Sequence, residues 1–267
     1  MLMSSTRRTF LASVGLAAAL PSAAAPTRVR AGCVADAETF DELITLLRKL
    51  KDLGYSGFSA NLKLLQTQSG HLDEVRGQLS EIGLDLIGVR TLLPRYNEME
   101  NDRAMDELSR VAMAAKQFGA RSLMMHSGGL APDGKFTASA LAAKIKFFNQ
   151  AAKRCGETGV YFNYRTQGVE FRNEGAEVKG LIAGTEKNVY FDFDLDYATR
   201  AYPAAVEVFN ENPGRTYAME GQFTEGIFRV HELAAAVKKN KWISWLIESS
   251  PTPNEASRSA MKKAFGA

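Results

Sequence analysis

What most constrains this chain is a joint that recurs along it: an amphipathic helical stretch, then a glycine, then a short apolar run. It occurs at Leu53-Gly54-Tyr55, Ile82-Gly83-Leu84, Phe118-Gly119-Ala120 and Thr158-Gly159-Val160. Glycine takes the left-handed conformation that ends a helix without steric penalty, so the chain turns back into a strand. The first helix also marks its start. Thr39 and Glu42 have the spacing of a capping box, and Phe40, Leu43, Leu46, Leu47 and Leu50 follow as one apolar face. Extending this pattern predicts eight strands, near Val29–Cys33, Gly57–Asn61, Asp85–Arg90, Arg121–His126, Val160–Arg165, Val189–Asp194, Arg215–Glu220 and Ile243–Glu248. Several are almost wholly apolar, as strands covered on both faces are. Strands alternating with helices imply parallel pairing, because a parallel neighbour requires a crossover. Eight such units in roughly 240 residues predict an α/β fold, a closed (β/α)8 TIM barrel. An open doubly wound sheet would want a glycine-rich phosphate turn after its first strand, and Gly32-Cys33-Val34-Ala35 is not one.

The first 25 residues read differently. Thr6-Arg7-Arg8-Thr9-Phe10-Leu11 fits the twin-arginine export pattern, and a mildly apolar stretch, Leu11 to Leu20, leads into small residues, Pro21 to Ala25. That basic, apolar, small-residue order predicts an export signal over 1–24, cleaved after Ala24, and a periplasmic barrel domain over 25–267. The competing readings are a disordered terminus with a chance Arg pair, or lipidation at Cys33, against which Arg30 stands where an apolar residue is needed. Past this segment no apolar run approaches the ~18 residues of a membrane span. The formal net charge is +3, and Arg7 and Arg8 account for two of those charges, so the mature chain has no electrostatic footprint for nucleic acid. Cys33 and Cys155 could form one disulfide, but twin-arginine substrates fold before export in a reducing cytoplasm. Cys155 also falls on a helical stripe with Leu141, Ile145 and Phe148, so buried free thiols are expected.

In such barrels function is built where the strands end. From the third strand onward the predicted last residues are Arg90, His126, Arg165, Asp194, Glu220 and Glu248, all ionisable and mostly preceded by apolar residues. Parallel strands end on one face, so these side chains are expected to share a polar mouth. Asp192 and Asp196 flank Asp194 at period two and compete for its place if the register slips. His71 and His231 read as surface residues, and Ser127-Gly128-Gly129 as a tight turn before a phosphate cradle. Of Trp242 and Trp245, one is expected to pack and the other to offer a sugar-stacking face.

The helix–glycine–strand joints, the segment Val160 to Phe171, Pro213-Gly214-Arg215 and the terminal Trp245-Leu246-Ile247-Glu248 resemble the xylose isomerase-like superfamily of sugar isomerases, sugar-phosphate epimerases and dehydratases. The resemblance covers the whole mature chain. It implies a divalent metal, Mn or Mg, held at the ends of strands five to eight and moving protons next to a sugar carbonyl. Asp194 and Glu248 stand where the family has ligands. Glu220 replaces its strand-seven histidine, Gln222 its lysine, Arg165 a strand-five histidine, and Arg90 a strand-three histidine. Ser59 stands in place of a strand-two glutamate.

Arginine has no lone pair for a metal and repels one nearby. Asp194, Glu220 and Glu248 could hold a hard cation by oxygens alone, or could pair with Arg90 and Arg165 and hold none. Zinc fits worst, since only His126 could supply nitrogen. The sequence therefore supports two readings. One is a sugar isomerase/epimerase or dehydratase acting on a sugar or cyclitol, with Glu220 or Glu248 moving the proton and Arg90, His126 and Arg165 binding substrate oxygens. The other is a non-catalytic, metal-free barrel binding a sugar, a sugar acid or a protein partner. A multi-zinc endonuclease of the same barrel type is excluded by the three histidines of the chain.

Overall fold

A computed structural model describes residues 29–92, 102–194, 204–212, 214–223, 234–235, 237, 244–250 and 252–267. The expected export signal, Asp196, Pro213, His231 and Trp242 lie outside the described residues. Eight strands form a closed barrel: β1 (Arg30–Ala35), β2 (Gly57–Asn61), β3 (Asp85–Leu92), β4 (Ser122–His126), β5 (Tyr161–Arg165), β6 (Val189–Asp194), β7 (Thr216–Gly221) and β8 (Trp245–Glu248). Each pairs in parallel with the next, and β8 closes on β1 through Arg30↔Trp245 to Cys33↔Glu248. Around it lie α1 (Phe40–Asp52), α2 (Leu62–Gln66), α3 (Leu72–Ile82), α4 (Asp102–Gln117), α5 (Ala138–Thr158), α6 (Arg172–Gly184), α7 (Ala204–Glu211) and α8 (Glu255–Phe265). Among the described residues no helix is long and apolar enough to cross a membrane.

The expected strands are present, with ends displaced by at most two residues. Two displacements matter. β3 runs on to Leu92, because Thr91 and Leu92 find partners in Met125 and His126, so Arg90 is not its last residue. β7 likewise adds Gly221, which pairs with Glu248.

The local rules hold where they were expected. Thr39 and Glu42 form the capping box of α1, and Gly54, Gly83, Gly119 and Gly159 all have positive φ, between 70° and 84°. The barrel wall then separates two apolar layers, since side chains alternate across it. Outward, Phe58, Leu123, Phe162, Phe191 and Leu246 join the helices' buried faces in one core. Within it Phe148 of α5 tilts against Phe162 and Tyr164 at 5.4 and 4.6 Å between ring centroids. Inward, Val34, Ile87, Met124, Ala218, Trp245 and Ile247 fill the barrel. Trp245 sits in that interior with the Arg30 guanidinium stacked over it at 3.8 Å. It fits because Gly57 has no side chain: a Cβ there would lie 2.7 Å from the indole. Trp245 is thus a packing residue. Cys33 and Cys155 are free and buried, and burial pushes both thiols up, Cys155 to about 12, which keeps them unreactive.

Candidate functional site

The inward pleat turns polar toward the carboxyl ends of the strands. Arg165 of β5 pairs in register with Asp192 of β6, and Asp194 of β6 pairs with Glu220 of β7. These ladders place three acids and one guanidinium on adjoining strands. Arg165 uses the geometry fully. Its Nε donates to Glu220 Oε2 at 2.9 Å, and its Nη2 to Glu220 Oε1 at 2.8 Å and to Asp194 Oδ2 at 2.8 Å. The fork onto Glu220 is bidentate, the strongest arrangement of this pair. Asp194 and Glu220 are almost fully buried beneath it. Burial disfavours the charge on Arg165, but Glu220, Asp192 and Asp194 outweigh that and bind its proton more firmly than usual. The direct ion pair expected from the sequence is therefore present, to two carboxylates at once.

Asp192 lies deeper. It is fully buried, and neither carboxyl oxygen has a hydrogen-bond partner. Burial, reinforced by Glu220 and Asp194 and opposed by Arg165 and Arg90, pushes it well above the ordinary carboxylate range, toward its neutral form. Asn163 of β5 and Ser59 of β2, also fully buried, leave polar atoms unpartnered as well.

Across the mouth the arrangement is looser. A cavity of about 460 Å³ is lined by Lys63, Arg90, His126, Arg165 and Gln167, with Asp36 and Asn61. Arg90 pairs through Nη2 with Asp36, just beyond β1, while its buried Nε has no partner. His126 ends β4 with its Nε2 buried and unpartnered. Burial pulls its pKa down, Gln167 and Glu170 oppose, and Arg165 and Lys144 add to the fall. It is a neutral imidazole at neutral pH.

Glu248 is the exception to the convergence expected of these residues. Ile247 faces the barrel interior, so Glu248 falls on the other side of the wall, that of Leu246 and Cys33. Its oxygens accept backbone amides, Phe223 N at 3.0 Å and Ser250 N at 2.9 Å, and so fasten the segments after β7 and β8.

One constellation was missed by the sequence reading. Lys144 of α5 is fully buried and donates to Glu177 Oε1 at 2.7 Å, Gly128 O at 2.8 Å and Tyr164 Oη at 2.9 Å. Tyr164 donates in turn to Glu170, which accepts from the Gln167 amide at 3.0 Å, and Glu177 accepts from the Leu130 amide at 2.8 Å. The network ties the loop after β4 to the loop after β5, so it holds His126 and Arg165 in place from behind. The signal was visible: a lysine inside the apolar stripe Leu141, Ile145, Phe148. The same network makes Ser127-Gly128-Gly129 a packed turn, with Gly128 O already in use and Gly129 against Val169. His71 is exposed.

A divalent metal fits this donor set poorly. Both Glu220 oxygens and one of Asp194 already receive Arg165, Glu248 is on the far side of the wall, and the guanidinium would sit against any ion placed between them. Among the described residues no group of three or more His, Cys, Asp or Glu is arranged to hold one.

The structural neighbours are xylose isomerase-like TIM barrels, among them sugar phosphate isomerases/epimerases and a 3-DHS dehydratase. A sugar phosphate isomerase/epimerase from Parabacteroides distasonis superposes with a TM-score of 0.67 at 13% identity, over 91% of this chain and 96% of that one. For 3-keto-D-glucoside 4-epimerase from E. coli the TM-score is 0.68 at 13% identity, over 90% and 100%. A probable 3-DHS dehydratase from Bacillus anthracis gives 0.69 at 10% identity, over 88% and 98%. At these identities the likeness is one of fold. No family model and no curated protein matches the chain.

Proposed function

We propose that this chain is a sugar isomerase/epimerase-like barrel that handles a sugar or cyclitol at its carboxyl mouth, with Arg165 standing where its relatives' fold suggests a metal. The observation that carries this is the bidentate Arg165–Glu220 pair, bonded also to Asp194, at the edge of the cavity. A carboxylate and a fixed cation side by side are the two groups that enolisation needs. Glu220 takes the proton from the carbon next to the carbonyl, and the C–H electrons move onto the carbonyl oxygen. The Nη1 of Arg165, which has no partner among the described residues, stabilises that oxyanion with a charge-assisted hydrogen bond. Arg90 and neutral His126 hold neighbouring oxygens, and Glu220 returns the proton to the adjacent carbon on the same face, which isomerises the sugar; epimerisation needs a second acid on the opposite face. Glu248 serves this site through the loops it fastens.

The second reading, a non-catalytic binder, is favoured by one fact: both oxygens of Glu220 already accept hydrogen bonds from Arg165. Solvent exchange decides between them. Incubating the purified chain with a panel of ketoses and inososes in D2O, and following α-deuteration by NMR, should show exchange that Glu220→Gln abolishes. Binding of a sugar without exchange in the wild type assigns the second reading. The export signal over 1–24 makes the periplasm the proposed location, checked by N-terminal sequencing of the exported protein, which should begin near Ala25.

A further inference from the structure

Resting on the carbohydrate reading of this mouth, we infer that its β2–β4 half is a subsite for an acidic group on the ligand, a carboxylate or phosphate ester carried by the sugar. Among the described residues lining the cavity three are cations, Lys63, Arg90 and Arg165, and one is an acid, Asp36. Arg165 is committed to Glu220 and Asp194. The other two cations come together by register: Asn61, the last residue of β2, pairs with Arg90 of β3, and Lys63 follows two residues later. Asp36 holds one nitrogen of Arg90, but its side chain is 67% exposed, and water weakens an ion pair so placed. No described residue pairs with the Lys63 ammonium.

Two unpartnered atoms then point to a ligand. Arg90 Nε and His126 Nε2 are both buried without a hydrogen bond, on side chains that line the same cavity. Of the two side chains only Arg90 is charged, and an anionic oxygen in the cavity answers a guanidinium more strongly than a hydroxyl does. Charge favours one direction of docking. Placed at Lys63 and Arg90, it lies across the cavity from Glu220 and Asp194; reversed, it would meet those carboxylates at close range. A ligand anchored by its acid on this side therefore presents its carbon chain to Arg165 and Glu220. The cavity, about 460 Å³, has room for a monosaccharide with such an arm.

Calorimetric titration of the full chain with D-gluconate, D-glucose 6-phosphate and D-glucose tests this, at low and high salt. At least one acidic sugar should bind ten times or more tighter than glucose, and high salt should shrink the difference. Lys63→Met, on an exposed residue that folding tolerates, and Arg90→Met should each remove most of that preference. Preference for gluconate assigns the carboxylate, and preference for the 6-phosphate assigns the phosphate. Glucose binding as tightly as either overturns the acidic subsite and leaves the carbohydrate reading standing. A preference that survives both substitutions overturns its placement at β2–β4. If none of the three sugars binds, both the subsite and the carbohydrate reading fall.

Discussion

On the β5–β7 side of the mouth, Arg165 spends two of its nitrogens on Glu220 and Asp194, and all three side chains are held by the barrel itself. On the β2–β4 side, Arg90 has, among the described residues, only the exposed Asp36 for a partner and keeps a buried Nε unanswered, as His126 does its Nε2. The same residue type at the same level of the barrel thus has two different states. Register decides which. The β6–β7 ladder sets Asp194 beside Glu220, within reach of the guanidinium from β5, whereas β2 offers Asn61 and Ser59 to Arg90's strand and no acid. Charge answered inside the protein builds the site. Charge left unanswered is available to a ligand.

The largest effect expected from this contrast is at Glu220. Glu220→Gln should cut α-deuteration by about 100-fold or more, the ordinary contribution of a positioned base. It should leave binding of an acidic sugar nearly intact, because the acid sits on the other half. Loss of both together would mean that the two halves do not divide the work. Next in size is the support behind them. Lys144→Met leaves Glu177 buried without its partner and should cost about 3–5 kcal/mol in urea unfolding. Asp36→Asn removes a surface partner and should change stability by less than about 1 kcal/mol. It should also tighten binding of an acidic sugar, by freeing Arg90. Weaker binding after Asp36→Asn would show that Asp36 positions Arg90 instead of competing for it.

Smallest, and opposite in sign on the two sides, are the pH effects. His126 has a folded pKa below its unfolded value, so stability is lost as pH falls from about 6.5 through that lowered value, when the unfolded chain takes up a proton first. Asp192 has a folded pKa above its unfolded value, so its burial costs stability as pH rises from about 4 through that raised value. His126→Asn should flatten the acid side of the thermal-melting profile, and Asp192→Asn should stabilise the protein at pH 8 and not at pH 3. Parallel shifts from both variants at all pH values would contradict these assignments.

Much of this was legible in the sequence, and for local reasons. The glycine joints and capping box fix chain direction without reference to the rest of the fold, so the barrel could be read from them. Arg165 meeting Asp194 or Glu220 followed from parallel strands ending on one face. What failed was parity. Trp245-Leu246-Ile247-Glu248 is apolar at both alternating positions, so nothing in it tells which side Glu248 takes; Gly57 decides, by making room for Trp245 inside. Lys63 was overlooked because α2 is a single short turn in what reads as a loop, and Lys144 because a lone lysine in an apolar stripe reads as an interruption. Its acceptors, Glu177 and Gly128 O, come from segments distant in sequence. The three aspartates at 192, 194 and 196 share a period, and only the ladder to β7 separates Asp194, beside Glu220, from buried Asp192.

In the proposed function Arg165 occupies the electrostatic place of a divalent ion. Calorimetric titration of Mn²⁺ into the wild type and into Arg165→His tests it most directly, because that substitution removes the competing cation and supplies a nitrogen ligand together. The wild type should bind no stoichiometric Mn²⁺ at micromolar metal, and the variant should gain about tenfold or more in affinity. Stoichiometric Mn²⁺ on the wild type, with an affinity that Arg165→His leaves unchanged, would contradict it.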